Sequence, residues 1–145
     1  MKANSIPTYI INLKIRPDRR EHILQEFEGR DEFNATIIDA HRHEIGSIGL
    51  WNTIKDIVTQ ALDQQHDYIL ICEDDHLFTA AYSKETLQQA ISEAIAVDAD
   101  VLSGGVSWHG DAVEISDTLF WVKKFSGTQF VILFKKFFQR FRTSC

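Results

Sequence analysis

Tyr68-Ile69-Leu70-Ile71-Cys72-Glu73-Asp74-Asp75-His76 joins an unbroken apolar run to three consecutive carboxylates. Strand formers in a row, without polar alternation, predict a central strand buried on both faces. In open α/β sheets ligands bind outside the carboxyl ends of such strands, so acids gathered at that end predict the edge of a site. Three like charges side by side repel unless a cation or hydrogen-bond donors offset them. Alternate side chains of an extended segment share a face, which would point Glu73 and Asp75 one way and Asp74 the other. Such a pair suits Mg²⁺ or Mn²⁺, which take one or two protein carboxylates and complete their shell with phosphate oxygens and water. The competing expectation is a strand that ends in a solvated acidic turn.

Upstream, Thr8-Tyr9-Ile10-Ile11-Asn12-Leu13 predicts a first buried strand, and Pro17-Asp18 the first turn of a helix running to Phe27. Arg16, Arg19 and Arg20 dress the joint. Guanidinium forks match phosphate oxygens and a helix N-terminus adds a favourable dipole, although a solvated basic face paired with Glu21, Glu26 and Glu28 is the plainer expectation for any one of them. Residues 34–39 predict a second strand, leading into Asp39-Ala40-His41-Arg42-His43. Two histidines invite a zinc-like site, yet they have no third ligand nearby, and surface histidines are expected. Gly46-Ser47-Ile48-Gly49 then leads into a helix whose apolar positions Trp51, Ile54, Ile57, Val58, Ala61 and Leu62 follow the 3.6-residue period.

Downstream of the acids, Ser83 predicts a cap for a helix that buries Leu87, Ala90, Ile91, Ala94 and Ile95. Residues 100–103 predict another strand, and Gly104-Gly105 a close backbone approach or positive φ. Residues 113–115 and 119–122 predict a hairpin, 129–134 a last apolar strand and 135–142 the start of a helix.

With 145 residues, 44% hydrophobic and 25% charged, the chain suits one core. No apolar run approaches the roughly 18 residues that span a bilayer, and Met1-Lys2-Ala3-Asn4-Ser5 leads into a strand, so a cytoplasmic location is expected. Cys72 in the buried strand and Cys145 at the end predict reduced thiols, neither a nucleophile. The net charge of −6 hides an asymmetry: from residue 120 onward there are six basic residues and no acid, against nine basic residues and 21 acids before it. The same tail holds seven of the ten phenylalanines. It is the outlier in composition.

Tyr9-Ile10-Ile11-Asn12-Leu13 with Arg16 and Arg20, followed by Gly46-x-x-Gly49, Trp51 and the apolar strand into Glu73-Asp74-Asp75, resembles glycosyltransferase family 25, transferases of lipopolysaccharide biosynthesis. Phe125-Ser126-Gly127-Thr128-Gln129-Phe130 is similar to the family's later strand. Where members carry a Cys-x-x-Ser-His segment after the glycine pair, this chain has Leu50-Trp51-Asn52-Thr53-Ile54. The resemblance implies an α/β, GT-A-like (Rossmann-like) fold, with a mostly parallel sheet flanked by helices. It implies a nucleotide-sugar donor, a UDP-sugar first, and a divalent metal, Mn²⁺ or Mg²⁺. The acceptor would be a hydroxyl of a glycan or glycolipid, and nucleic acid is not an expected partner.

By the same similarity Asp75 would hold the metal together with Glu73, and Glu73 or Asp74 would contact the donor or a metal-bound water. Asn12, Arg16 and Arg20 would lie on the nucleotide side. Family domains continue beyond the equivalent of Arg142, so residues 1–145 are expected to form a single domain, the donor-binding half, incomplete at the C-terminus. The basic, aromatic tail 120–145 would be an element whose packing partner is absent, or a peripheral contact with the inner face of an anionic membrane. For a general base only His76 and Asp111 are candidates by type.

Two alternatives remain open on sequence. One is a non-catalytic remnant or a subunit that depends on a partner. The other is a phosphorelay receiver domain, disfavoured because only 70 residues follow Asp75 and Ser103-Gly104 stands where that fold needs an aspartate.

Overall fold

The computed structural model describes residues 5–143, and the expectations that rest on Met1-Lys2-Ala3-Asn4 and on Cys145 lie outside the described residues. The chain opens with β1 (Ile6–Asn12), α1 (Pro17–Phe27) and β2 (Phe33–Asp39), followed by α2 (Gly46–Asp63) and β3 (Tyr68–Glu73). Pro17 fits the first helical position of α1, where its missing N–H would be unpaired anyway. The three strands pair in parallel in the order β2-β1-β3. From β1 the chain therefore moves to one side to make β2 and then returns past β1 to make β3. Such a reversal creates a topological switch point between the carboxyl ends of β1 and β3.

The next elements are α3 (Lys84–Ala96), β4 (Val101–Ser103), β5 (Trp108–His109), β6 (Ala112–Glu114), β7 (Phe120–Val122) and β8 (Phe125–Ser126). Ser83 caps α3 as expected, its Oγ accepting the Thr86 N–H at 3.1 Å. The expected hairpin is β6 with β7, while the pairing of β5 with β8 has no counterpart in the sequence reading. The chain ends with β9 (Phe130–Phe134) and α4 (Lys135–Thr143). The segment similar to the family's later strand is thus two strands, broken where Gly127 takes a φ of +120°.

The main sheet has the order β2-β1-β3-β9-β4, and β9 runs antiparallel to both of its neighbours. The fold is α/β with a flanked sheet, and the sheet is mixed, two of its four pairings being parallel and two antiparallel. Between β4 and β9 the chain makes only two small ribbons, without the crossover that a parallel return requires. Having left β4 at the end where β3 terminates, it re-enters the sheet from that same end, with the Gln129 carbonyl accepting the Glu73 N–H at 3.0 Å.

Alternation along the strands builds one core on each face of the sheet. Ile10, Leu70, Cys72 and Ile132 face Ile23 and Phe27 of α1 with Ile91 and Ala94 of α3. Tyr9, Ile11, Ile69, Ile71 and Val131 face Ile57, Val58 and Ala61 of α2 with Phe138 of α4. Burying each large aliphatic is worth about 1.5–3 kcal/mol, so β3, buried on both faces, anchors both layers. Two expected core residues lie outside it. Ile95 sits past the inward stripe of α3 and Trp51 sits on the flank of α2, 54% and 49% exposed.

The α4 part of the tail does not lack a packing partner. Phe138 is fully buried and Phe141 meets the Trp51 ring at 4.8 Å. Two of the tail's six cations are engaged as well: Lys136 Nζ lies 2.8 Å from Asp98 Oδ2, and Arg140 Nη1 lies 3.2 Å from Asp100 Oδ2. Among the described residues no helix is long and apolar enough to cross a membrane.

Candidate functional site

The carboxyl ends of β1, β2 and β3, with the segments that follow them, enclose a cleft of about 420 Å³. Arg16 and Arg19 line one part of it, residues 40–43 and Gly46 another, and Glu73, Asp74 and Asp75 a third. It lies at the switch point, where an α/β sheet offers diverging loops to a ligand.

Asn12, the last residue of β1, is buried and ties that switch point together. Its Nδ2 donates to Asp74 Oδ2 at 2.8 Å and to the Arg16 carbonyl at 3.2 Å. The second oxygen of Asp74, Oδ1, accepts from Arg19 Nη1 at 3.3 Å. Asp74 is therefore buried and engaged at both oxygens, the opposite orientation from its neighbours that alternation predicts. Glu73 Oε1 accepts from Thr128 Oγ1 at 2.6 Å. Asp75 is exposed, and its Oδ1 accepts from the Gln129 amide at 3.4 Å. Of the three carboxylates it is the least committed.

Arg16 lines the cleft and grips Asp18 through two hydrogen bonds of 3.0 and 2.7 Å. The Arg16 guanidinium holds the Asp18 carboxyl down at about 2. Arg20 does not line the cleft; it shares the outer side of α1 with exposed Leu24. Arg19 takes its place. Ile23 and Phe27 form the buried stripe of α1, and Arg19, four residues before Ile23, continues that stripe into the cleft. Helical spacing could have selected Arg19 over Arg20.

On the β2 side, His41 Nε2 lies 2.6 Å from Asp56 Oδ2. The loop fits against α2 because residue 49 is glycine: a Cβ there would stand 2.5 Å from the His41 carbonyl oxygen. The glycine pair forms the first turn of α2 and does not precede it. His43 Nδ1 accepts the Ile45 N–H at 2.9 Å, which leaves Nε2 to carry the proton of the neutral ring. Ile45 precedes α2 without any side-chain cap, so the helix N-terminus at Gly46 adds positive potential beside Arg42. Acids and cations thus line the same cleft.

Neither candidate base enters the cleft. His76 turns into an aromatic cluster, stacked on Phe130 at 4.9 Å with its edge contact to Phe78 at 4.6 Å. Burial lowers its pKa below the usual value, and its Nε2 has no hydrogen-bond partner among the described residues. Asp111 is exposed between β5 and β6, away from the cleft lining. The buried Cys72 thiol is pushed up by desolvation first and by the adjacent acids second, which leaves it protonated and inert.

Among the described residues no group of three or more His, Cys, Asp or Glu side chains is gathered to hold a metal ion. Glu73 and Asp75 supply two cleft carboxylates, which suits Mg²⁺ or Mn²⁺ completed by phosphate and water and does not suit a closed zinc site. Comparison with protein-family models gives no match, and no curated protein matches the sequence.

Proposed function

We propose that the cleft binds the diphosphate of a nucleotide sugar together with a divalent cation, and that the chain serves glycosyl transfer to a hydroxyl acceptor. The observation that carries this reading is that Glu73 and Asp75 line the same switch-point cleft as Arg16, Arg19 and Arg42. Opposed charges of this kind match a ligand that brings both phosphate anions and a metal cation. Glu73 and Asp75 would hold the cation, which when bound neutralises charge on the departing diphosphate. Arg16 and Arg19, oriented by Asp18 and Asp74, would receive phosphate oxygens. The parallel β2-β1-β3 half, with its acids at the end of β3, supports the GT-A-like arrangement that the resemblance to family 25 implies.

One observation favours a second form of the same reading. Neither His76 nor Asp111 lines the cleft, so the base would be another residue of the lining or would come from another chain or segment. A lipopolysaccharide or other surface-glycan acceptor, and work at the inner face of a membrane, belong to this proposal through the family resemblance.

Calorimetric titration with UDP, with and without Mn²⁺, tests it. The expected result is Mn²⁺-dependent binding that Asp75→Ala weakens at least tenfold. Folded protein that binds no UDP under either condition would sink the donor-site reading.

A further inference from the structure

Beside the charged cleft lies a second one of about 280 Å³, lined without any charged side chain. Ile71 of β3 and Val131 of β9 form its floor, Leu50 and Ile54 of α2 one wall, and Trp51 and Phe125 its lips. Both lip aromatics are more than two-fifths exposed. Exposed aromatics over an apolar floor mark a surface built to be covered.

Two features make the clefts one continuous site. Leu50 lines both. Glu73 lines the charged cleft, Thr128 lines the apolar one, and a 2.6 Å hydrogen bond joins the two side chains. Ile71 precedes Glu73 by two residues on the same face of β3, a step of roughly 6–7 Å along the strand. A ligand group at the acid rim is thus within reach of the apolar floor.

The volume decides what fits. Pockets that take a whole small ligand span about 300–1,000 Å³, and this cleft falls just below that range. It suits one part of a ligand whose remainder lies next door. We propose that the apolar cleft holds an alkyl chain of the second substrate, with that substrate's hydroxyl end at the Glu73 and Asp75 rim. The role of the hydroxyl rests on the donor-site reading, whereas binding of the chain does not.

The probe is octyl β-D-glucopyranoside below its micelle concentration, with methyl β-D-glucopyranoside as the headgroup control, followed through the methyl NMR signals of Leu50, Ile54, Ile71 and Val131. Saturable shifts with the octyl compound alone are expected. Ser47→Trp, which adds bulk at an exposed position lining the cleft, should weaken that binding at least tenfold. Should that variant fail to fold, Phe125→Ser on the opposite lip should weaken it severalfold.

The inference is overturned by an absent octyl response at these methyls, or by an equal response to the methyl compound. It is also overturned by shifts that grow with protein concentration alone, which would put a second copy of the chain in the cleft. Parallel titration with UDP and Mn²⁺ separates the two proposals. Octyl binding without UDP binding would keep the chain site and remove its place beside a donor, while UDP binding without octyl binding would remove the apolar site only.

Discussion

Asp74 and Asp75 are adjacent in sequence and opposite in environment, the first buried against Asn12 and Arg19, the second exposed beside Gln129. Removing Asp74 leaves the buried Asn12 amide with the Arg16 carbonyl alone. Asp74→Ala should therefore lower stability by about 1–3 kcal/mol in urea unfolding. Asp75→Ala should stay within about 0.5 kcal/mol of the parent while losing metal-dependent UDP binding. A second expectation concerns His76, whose pKa burial depresses below its ordinary 6.5. Below 6.5 the unfolded chain takes up a proton there that the folded chain refuses, so stability is present above that pH and is lost as pH falls below it. Comparing unfolding at pH 7.5 and 5.5, the parent should lose more stability than His76→Phe, which keeps the ring against Phe130 without the titration. Equal losses in both would show that His76 does not set this slope.

At the scale of elements, α4 shows most plainly how a tail that reads as unsatisfied is absorbed. Phe138 is fully buried against the face of the sheet that α2 covers. Phe138→Ala should cost about 3–5 kcal/mol in urea unfolding. Lys136→Ala removes a pair whose Asp98 side chain is 82% exposed, and should change stability by less than about 1 kcal/mol. The tail's composition records only that it is apolar and basic; the match to Asp98 and Asp100 depends on β4 lying beside β9, which no local pattern states. The strands of the main sheet and the helices were legible, since continuous apolar runs and 3.6-residue stripes report burial directly, whereas the short, exposed β5 and β8 were not. Strand direction is legible too, because no helical period lies between Ser103 and Phe130 and a parallel return requires a crossover. Ile95 fails for a different reason, because a stripe one residue too wide looks the same in sequence as one that faces the core.

For the molecule as a whole, the switch point joins residues far apart in sequence into one cleft. Glu73, Asp74 and Asp75 were legible because they stand where an apolar run ends and a strand must stop, Arg16 because it dresses the joint before Pro17, and Asn12 through the family resemblance alone. Arg19 required the helical phase, and the apolar cleft was hidden, because α2, β3, β9 and the segment before β9 contribute to it from separate parts of the chain. The charged cleft joins elements from β1, β2 and β3, so a ligand bound there would hold together the parallel half of the sheet and the start of α1. Binding to the folded form alone stabilises it by mass action, about 2.7 kcal/mol at a ligand concentration one hundred times Kd. For a chain of this size each kcal/mol raises the melting temperature by roughly 2–4 °C, so UDP with Mn²⁺ should raise it by about 5–10 °C. The rise should require both components and vanish in Asp75→Ala, whose own melting temperature should match the parent's. A rise of equal size with UDP alone would assign the affinity to Arg16, Arg19 and Arg42 and leave Glu73 and Asp75 without a metal to hold.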